Sequence, residues 1–172
     1  MNLPESPRRF WPSMTMLVLF LISQGNLARI IRPLDPSFME MQFAFSPARY
    51  VEILRAWGPE GVARYQSHFV FDLLHPLTFA ALGWVAVRTS PVFGGLTVNR
   101  ERMYRWLLPV AAGLDYVENT CQLKLLSVPP GTVDWLIPTS ATCASIKWGL
   151  SGVFAVVVVW HAGGWILRRT AN

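Results

Sequence analysis

The chain has 172 residues, of which 52% are hydrophobic, 13% aromatic and only 15% charged, against roughly 25% charged in an average soluble domain. Its mean hydropathy is +0.34, and its net charge of +5 comes mostly from arginines. These figures exclude a disordered chain and a coiled coil, and two cysteines, Cys121 and Cys143, cannot build a disulfide framework.

No charge occurs from Phe10 to Ala28, from Leu73 to Val87, or from Trp148 to Leu167. About 20 apolar residues span a bilayer core. A further segment, Trp106 to Val128, is equally apolar in its first half but carries Asp115, Glu118 and Lys124. The pattern predicts a single domain over residues 1–172: an all-α integral membrane bundle of four helices near 10–28, 66–87, 106–127 and 139–165. The first segment has an alternative reading as a signal peptide, with Arg8 and Arg9 before MTMLVLFLI. The following SQGNLAR lacks a small-x-small cleavage site, which favours a retained helix.

Between the first two helices, residues 29–65 form a long loop with five arginines and four acids. Met39, Met41, Phe43 and Phe45 alternate with Glu40, Gln42 and Ala44, which predicts one short strand or extended segment. Ser46-Pro47 reads as an N-cap and first helical residue. Tyr50, Val51, Ile53, Leu54 and Trp57 follow at near-helical spacing, up to Gly58-Pro59, and a second short helix runs from Glu60 to Gln66. This segment is either an amphipathic helix on the outer interface or a lid over a site between the helices.

Orientation follows from arginine placement in the short loops. Arg8 and Arg9, then Arg88, Arg100, Arg102 and Arg105, then Arg168 and Arg169 all fall on one side of a four-helix topology. The loop from Ser127 to Pro138 has no Lys or Arg. Both termini are therefore expected in the cytoplasm and the chain in the cell membrane. Trp11, Trp84, Trp106 and Trp165 suit an inner aromatic belt and Trp135 an outer one. The arginines divide among several loops without interleaved aromatics, which argues against a nucleic-acid partner.

Ionisable residues within the spans carry the functional signal. The second helix holds His68, Asp72 and His75 on one face, the third Asp115, Glu118, Asn119 and Gln122, and the fourth Ser140, Cys143 and Lys147. At about 1.5 Å of rise per residue, Asp72 lies about 9 Å, Lys147 about 12 Å, Glu118 about 13 Å, His75 about 14 Å and Asp115 about 18 Å below the outer surface. Charges facing lipid are costly, so these groups should face one another in one layer. Three carboxylates against Lys147, with His75 as a second potential cation, cannot all stay ionised in such a site. A protonated carboxyl beside an ionised partner is a usable general acid and base. The plainer alternative is an interhelical salt bridge from Lys147 to Asp115 or Glu118 that fixes bundle register.

The candidate catalytic residues are thus Asp72, Asp115, Glu118, Asn119, Lys147 and His75. Glu118 or Asp115 would be the acid or base, Asp72 its charge partner, Lys147 its electrostatic tuner and Asn119 its orienting group. D-x-x-H and D-x-x-E also have the spacing of carboxylate-bridged metals in bundles. The absence of an acid or histidine on the first helix and the presence of Lys147 oppose a metal, and no cofactor is expected. Pro76 and Pro109 should kink their helices, Gly149, Gly152 and Gly163-Gly164 suit close helix packing, and His161 reads as interfacial. Cys121 and Cys143 read as small packing residues at a depth that would also allow a disulfide.

RYVEILRAWGPEGVARYQ, FDLLHPLTFA, LLPVAAGLDYVEN and IKW together make the chain resemble a family of small bacterial four-helix membrane proteins with no assigned activity. The resemblance covers most of the chain. It implies the four-span topology and the pattern of Asp72, Asp115, Glu118, Asn119 and Lys147. The family pattern usually has an aromatic residue where this chain has His75, a departure that argues against an essential His75. Membrane sterol isomerases of the emopamil-binding type share the design of intramembrane acids and a histidine, but their motifs do not match.

The sequence thus supports an intramembrane acid/base enzyme, of isomerase or cyclase type, on a membrane lipid, isoprenoid or other hydrophobic small molecule. A structural or assembly protein is the rival. A proton-coupled carrier subunit is a third reading, and with only four helices it would need to form a homodimer.

Overall fold

The computed structural model describes residues 9–170, so Arg8 lies outside the described residues. All regular structure within them is helical: α1 (Phe10–Ile31), α2 (Phe38–Gln42), α3 (Pro47–Asp72), α4 (His75–Thr89), a 3-10 turn at Pro91–Phe93, α5 (Val98–Ser127) and α6 (Leu136–Thr170). α1 and α6 are each long and apolar enough to cross a membrane, and α3 and α4 qualify together as a bent pair. α5 is long enough but does not qualify, because Asp115, Glu118, Asn119 and Gln122 interrupt its apolar stretch.

The strand expected around residues 39–45 does not form; Phe38–Gln42 is one helical turn. Its cause is local. The Ser37 hydroxyl accepts from the Glu40 amide at 3.4 Å while the Ser37 amide donates to Glu40 Oε1 at 3.1 Å, a capping box that outweighs the period-two pattern. The turn buries the adjacent Met41 and Gln42 and leaves Met39, Phe43 and Phe45 exposed. As the sequence predicts, Ser46 caps α3 and Pro47 opens it. The expected break at Gly58-Pro59 is a kink inside α3, where Gly58 takes φ 61° and ψ −176°. That positive φ suits glycine alone.

The continuous helix expected over 66–87 is also corrected. It breaks at Leu73-Leu74, and α3 and α4 meet at 41°. Pro76 has no amide hydrogen, and its ring collides with a helical carbonyl at Asp72. The Tyr116 hydroxyl donates to the freed Leu73 carbonyl at 2.8 Å. Pro109, in contrast, lies within α5 without breaking it. Gly149, Gly152 and Gly163 face open space rather than a neighbouring helix. The close helix approach is at Gly83, where an added Cβ would sit 2.8 Å from Leu108 Cβ.

α1 packs on α3 and α4, α4 on α5, and α5 on α6. Two apolar cores result. One joins Leu34, Met41, Tyr50, Ile53, Trp57, Tyr65, Phe69 and Ile137, so α2 and the first half of α3 are packed against the other helices rather than left as a free interfacial segment. The other joins Phe79, Val87, Phe93, Leu108, Ala111, Ala112 and Phe154. Along α3–α4, α5 and α6 alike, the buried acids and Lys147 fall between these cores, and His68 sits at the edge of the first, against Tyr65 and Phe69. At the far end of the second core, Trp84 packs edge-on against Trp106 at 5.1 Å and Phe10 against Trp165 at 5.4 Å. His161 sits there against Phe93 and Tyr104, at 5.6 and 5.7 Å.

Candidate functional site

Lys147 of α6 is buried and reaches two carboxylates of α5. Its Nζ donates to Asp115 Oδ1 at 2.7 Å and to Glu118 Oε2 at 2.6 Å. The i, i+3 spacing of the two acids puts both on the face that α6 covers. Fully desolvated charges need this pairing, because an unmatched one costs several kcal/mol. Glu118 has a second donor, Gln42 Nε2 of α2, at 2.6 Å, and Gln42 Oε1 accepts from Trp148 Nε1 at 2.9 Å. Gln42 is 3% exposed. Reading residues 39–45 as a strand assigned Gln42 to the polar face and missed it; the signal that could have found it is the S-x-x-E capping pattern at Ser37–Glu40.

Asp72 closes the last turn of α3 beside this triad. Asn119 Nδ2 donates to its Oδ2 at 3.0 Å, and His68 Nε2 lies 3.7 Å from the same oxygen. Asn119 therefore holds Asp72, and not Asp115 or Glu118 as expected. His68 Nδ1 donates to the Tyr65 carbonyl. The neutral ring then has its lone pair on Nε2, on the side of Asp72. His75 does not supply a second cation to the carboxylates. The bend carries it toward α1, where Nδ1 lies 2.9 Å from Ser23 Oγ and the ring packs against Phe20 and Phe79.

A polar chain continues from the triad toward the first core. Gln122 Nε2 donates to Ser140 Oγ at 2.8 Å, and Gln122 Oε1 accepts from the Tyr50 hydroxyl at 3.2 Å. Cys121 and Cys143 are both free thiols.

Beside the triad is a cavity of about 300 Å³. Its apolar wall includes Phe20, Leu27, Phe38, Phe79, Leu108 and Phe154, and its polar wall includes Asp72, His75, Asp115 and Lys147. Glu118 does not line it; this side chain sits behind Lys147, 1% exposed and occupied by two donors. The ionisable groups that a molecule in the cavity could touch are therefore Asp72, Asp115, Lys147 and the two histidines, His68 and His75. Chemically, the arrangement offers two carboxyl groups for proton transfer in an apolar chamber, with a fixed ammonium behind one of them. No protein-family model, curated protein or solved structure matches this chain.

Proposed function

We propose that this chain is a four-span protein of the cell membrane, with both termini cytoplasmic, and that it performs acid/base chemistry on a lipid-like substrate such as an isoprenoid. The reaction class is isomerisation or cyclisation. The observation that carries this reading is the meeting of Asp72, Asp115 and Lys147 on the wall of a cavity otherwise lined by aromatic and aliphatic side chains. An apolar pocket with a few convergent polar groups is the general form of a small-molecule site. Asp72, held by Asn119 and beside His68, exchanges a proton with the substrate. Asp115, fixed by Lys147, balances the charge that develops. Glu118, behind the cavity wall, keeps the Lys147 ammonium in place and does not touch the substrate, while Gln42 holds Glu118 from the cavity wall. Arginine distribution supports the orientation, and α2 with the first half of α3 would cap the site on the outer side.

The test is the hydrophobic molecule that co-purifies in mild detergent, identified by mass spectrometry and then incubated with the protein in D2O. Wild type should place solvent deuterium on carbon, and Asp72→Asn should not. Absence of any bound lipid together with absence of exchange would overturn the enzyme reading. It would leave a structural protein, a reading favoured by the complete pairing of Lys147 with Asp115 and Glu118.

A further inference from the structure

The cavity wall carries more negative charge than its internal pairing uses. Asp115 receives Lys147 on Oδ1, and Asp72 receives Asn119 on Oδ2. No described residue hydrogen-bonds the second oxygen of either carboxylate. Asp72 is 6% and Asp115 4% exposed, and both line the cavity. Two carboxylate oxygens from different helices thus face a space walled by Phe20, Phe38, Phe79 and Phe154. The one lysine on that wall is already shared between Asp115 and Glu118. A desolvated carboxylate stays ionised only beside a positive partner, and aromatic faces attract cations.

The mouth of the cavity has a definite place. α1 and α6 touch at one end, through Phe10 and Trp165, but form no packed interface farther along. Gln24 of α1 and Ala155 of α6 line the cavity and are exposed. Beside them Leu21 and Val156 are 56% and 69% exposed, so the opening has apolar borders. Such borders suit hydrocarbon rather than water.

We infer that the cavity takes a cationic amphiphile, an amine on a single hydrocarbon chain, which enters sideways between α1 and α6 and seats its ammonium between Asp72 and Asp115. This inference rests on the acid/base reading of the same site and adds to it the charge of the ligand. The chamber matches the lower end of small-molecule sites, roughly 300 Å³, so the head and first part of the chain fill it while the rest lies in the mouth.

The experiment uses the full chain in phosphatidylcholine nanodiscs with three probes of equal chain length: dodecylamine, dodecanol and dodecanoate. Dodecylamine should bind at least about tenfold more tightly than dodecanol, and dodecanoate should not compete. Asp72→Asn should lower amine affinity by about tenfold or more and leave dodecanol binding as it was, which also shows that the variant is folded. Ala155→Trp, at the mouth, should abolish binding of both without lowering the unfolding temperature of the empty protein. Equal affinity for amine and alcohol, or amine binding indifferent to Asp72→Asn, overturns the inference. If that happens while wild type still exchanges deuterium into its own lipid, the acid/base reading stands without it. Amine selectivity without any exchange upholds the inference and removes the acid/base reading.

Discussion

Gln42 Nε2 donates to Glu118 Oε1 across 2.6 Å, although 76 positions separate the two residues. This contact ties a five-residue helix in the first long loop to the buried charges of α5 and α6, and the Gln42 carbonyl is held in turn by Trp148. The amide is suited to this place because it donates a hydrogen bond to a carboxylate and accepts one from an indole, which neither a carboxylate nor an aliphatic side chain can do.

Replacing Gln42 by Leu should therefore cost about 2 kcal/mol, the range for losing a buried hydrogen bond to a charged group. Hydrogen exchange should quicken in α2 before it does in α5. An exchange pattern in which α2 keeps its protection would show that the latch does not hold the loop.

Lys147→Met should be far more damaging, at about 3 to 5 kcal/mol, because Asp115 and Glu118 would be left buried without their cation. The combined variant Lys147→Met, Asp115→Asn, Glu118→Gln should recover most of that loss, since no net charge then remains in the triad. Unfolding temperatures in detergent measure both effects. Failure of the triple variant to recover would mean that geometry, and not charge matching, sets the stability of this layer.

Gly83→Ala tests the α4–α5 contact. The added methyl would lie 2.8 Å from Leu108 Cβ and 3.0 Å from Leu108 Cγ, too close for either helix to stay in place. Overpacking of this kind costs about 1 to 3 kcal/mol. Leu108→Ala in the same chain should relieve part of it, giving a non-additive pair in a double-mutant cycle. Gly149→Ala, which meets nothing within 4 Å, is the matching control and should show only the helix-propensity gain of up to about 1 kcal/mol.

The capping box predicts a pH effect outside the spans. The Ser37 amide, and after it Arg49, holds the exposed Glu40 carboxyl below the ordinary glutamate range. A lowered folded value means that the contribution is present above the unfolded value and disappears as pH falls through the folded one. Amide protection across Ser37–Gln42 should thus decline on acidification. Glu40→Gln, which keeps an acceptor oxygen but does not ionise, should flatten that dependence. A profile unchanged by Glu40→Gln would assign the effect to another group.

Local features were legible along the chain. The Ser46-Pro47 helix start, the glycine kink at Gly58 and the break imposed by Pro76 all follow from backbone chemistry within four residues. The gathering of Lys147 with Asp115 and Glu118 was also readable, because apolar surroundings penalise charge so strongly that ions within apolar stretches must find each other. Partner choice was not readable. Asn119 turned to Asp72, His75 to Ser23 and Gln42 to Glu118, pairings set by a 41° bend and by a loop that folds back over the helices.

By itself, then, the sequence determined that α3 starts at Ser46-Pro47, that the chain bends at Gly58 and at Pro76, and which side chains cannot stand unpaired among apolar ones, since each depends on neighbours in the chain or on the surrounding medium. Only the tertiary structure decided that Asp72 and Asp115 line a cavity while Glu118 lies behind Lys147. Helix periodicity specifies a face, but the angle and offset between packed helices specify which atom on that face meets an open space and which meets a partner.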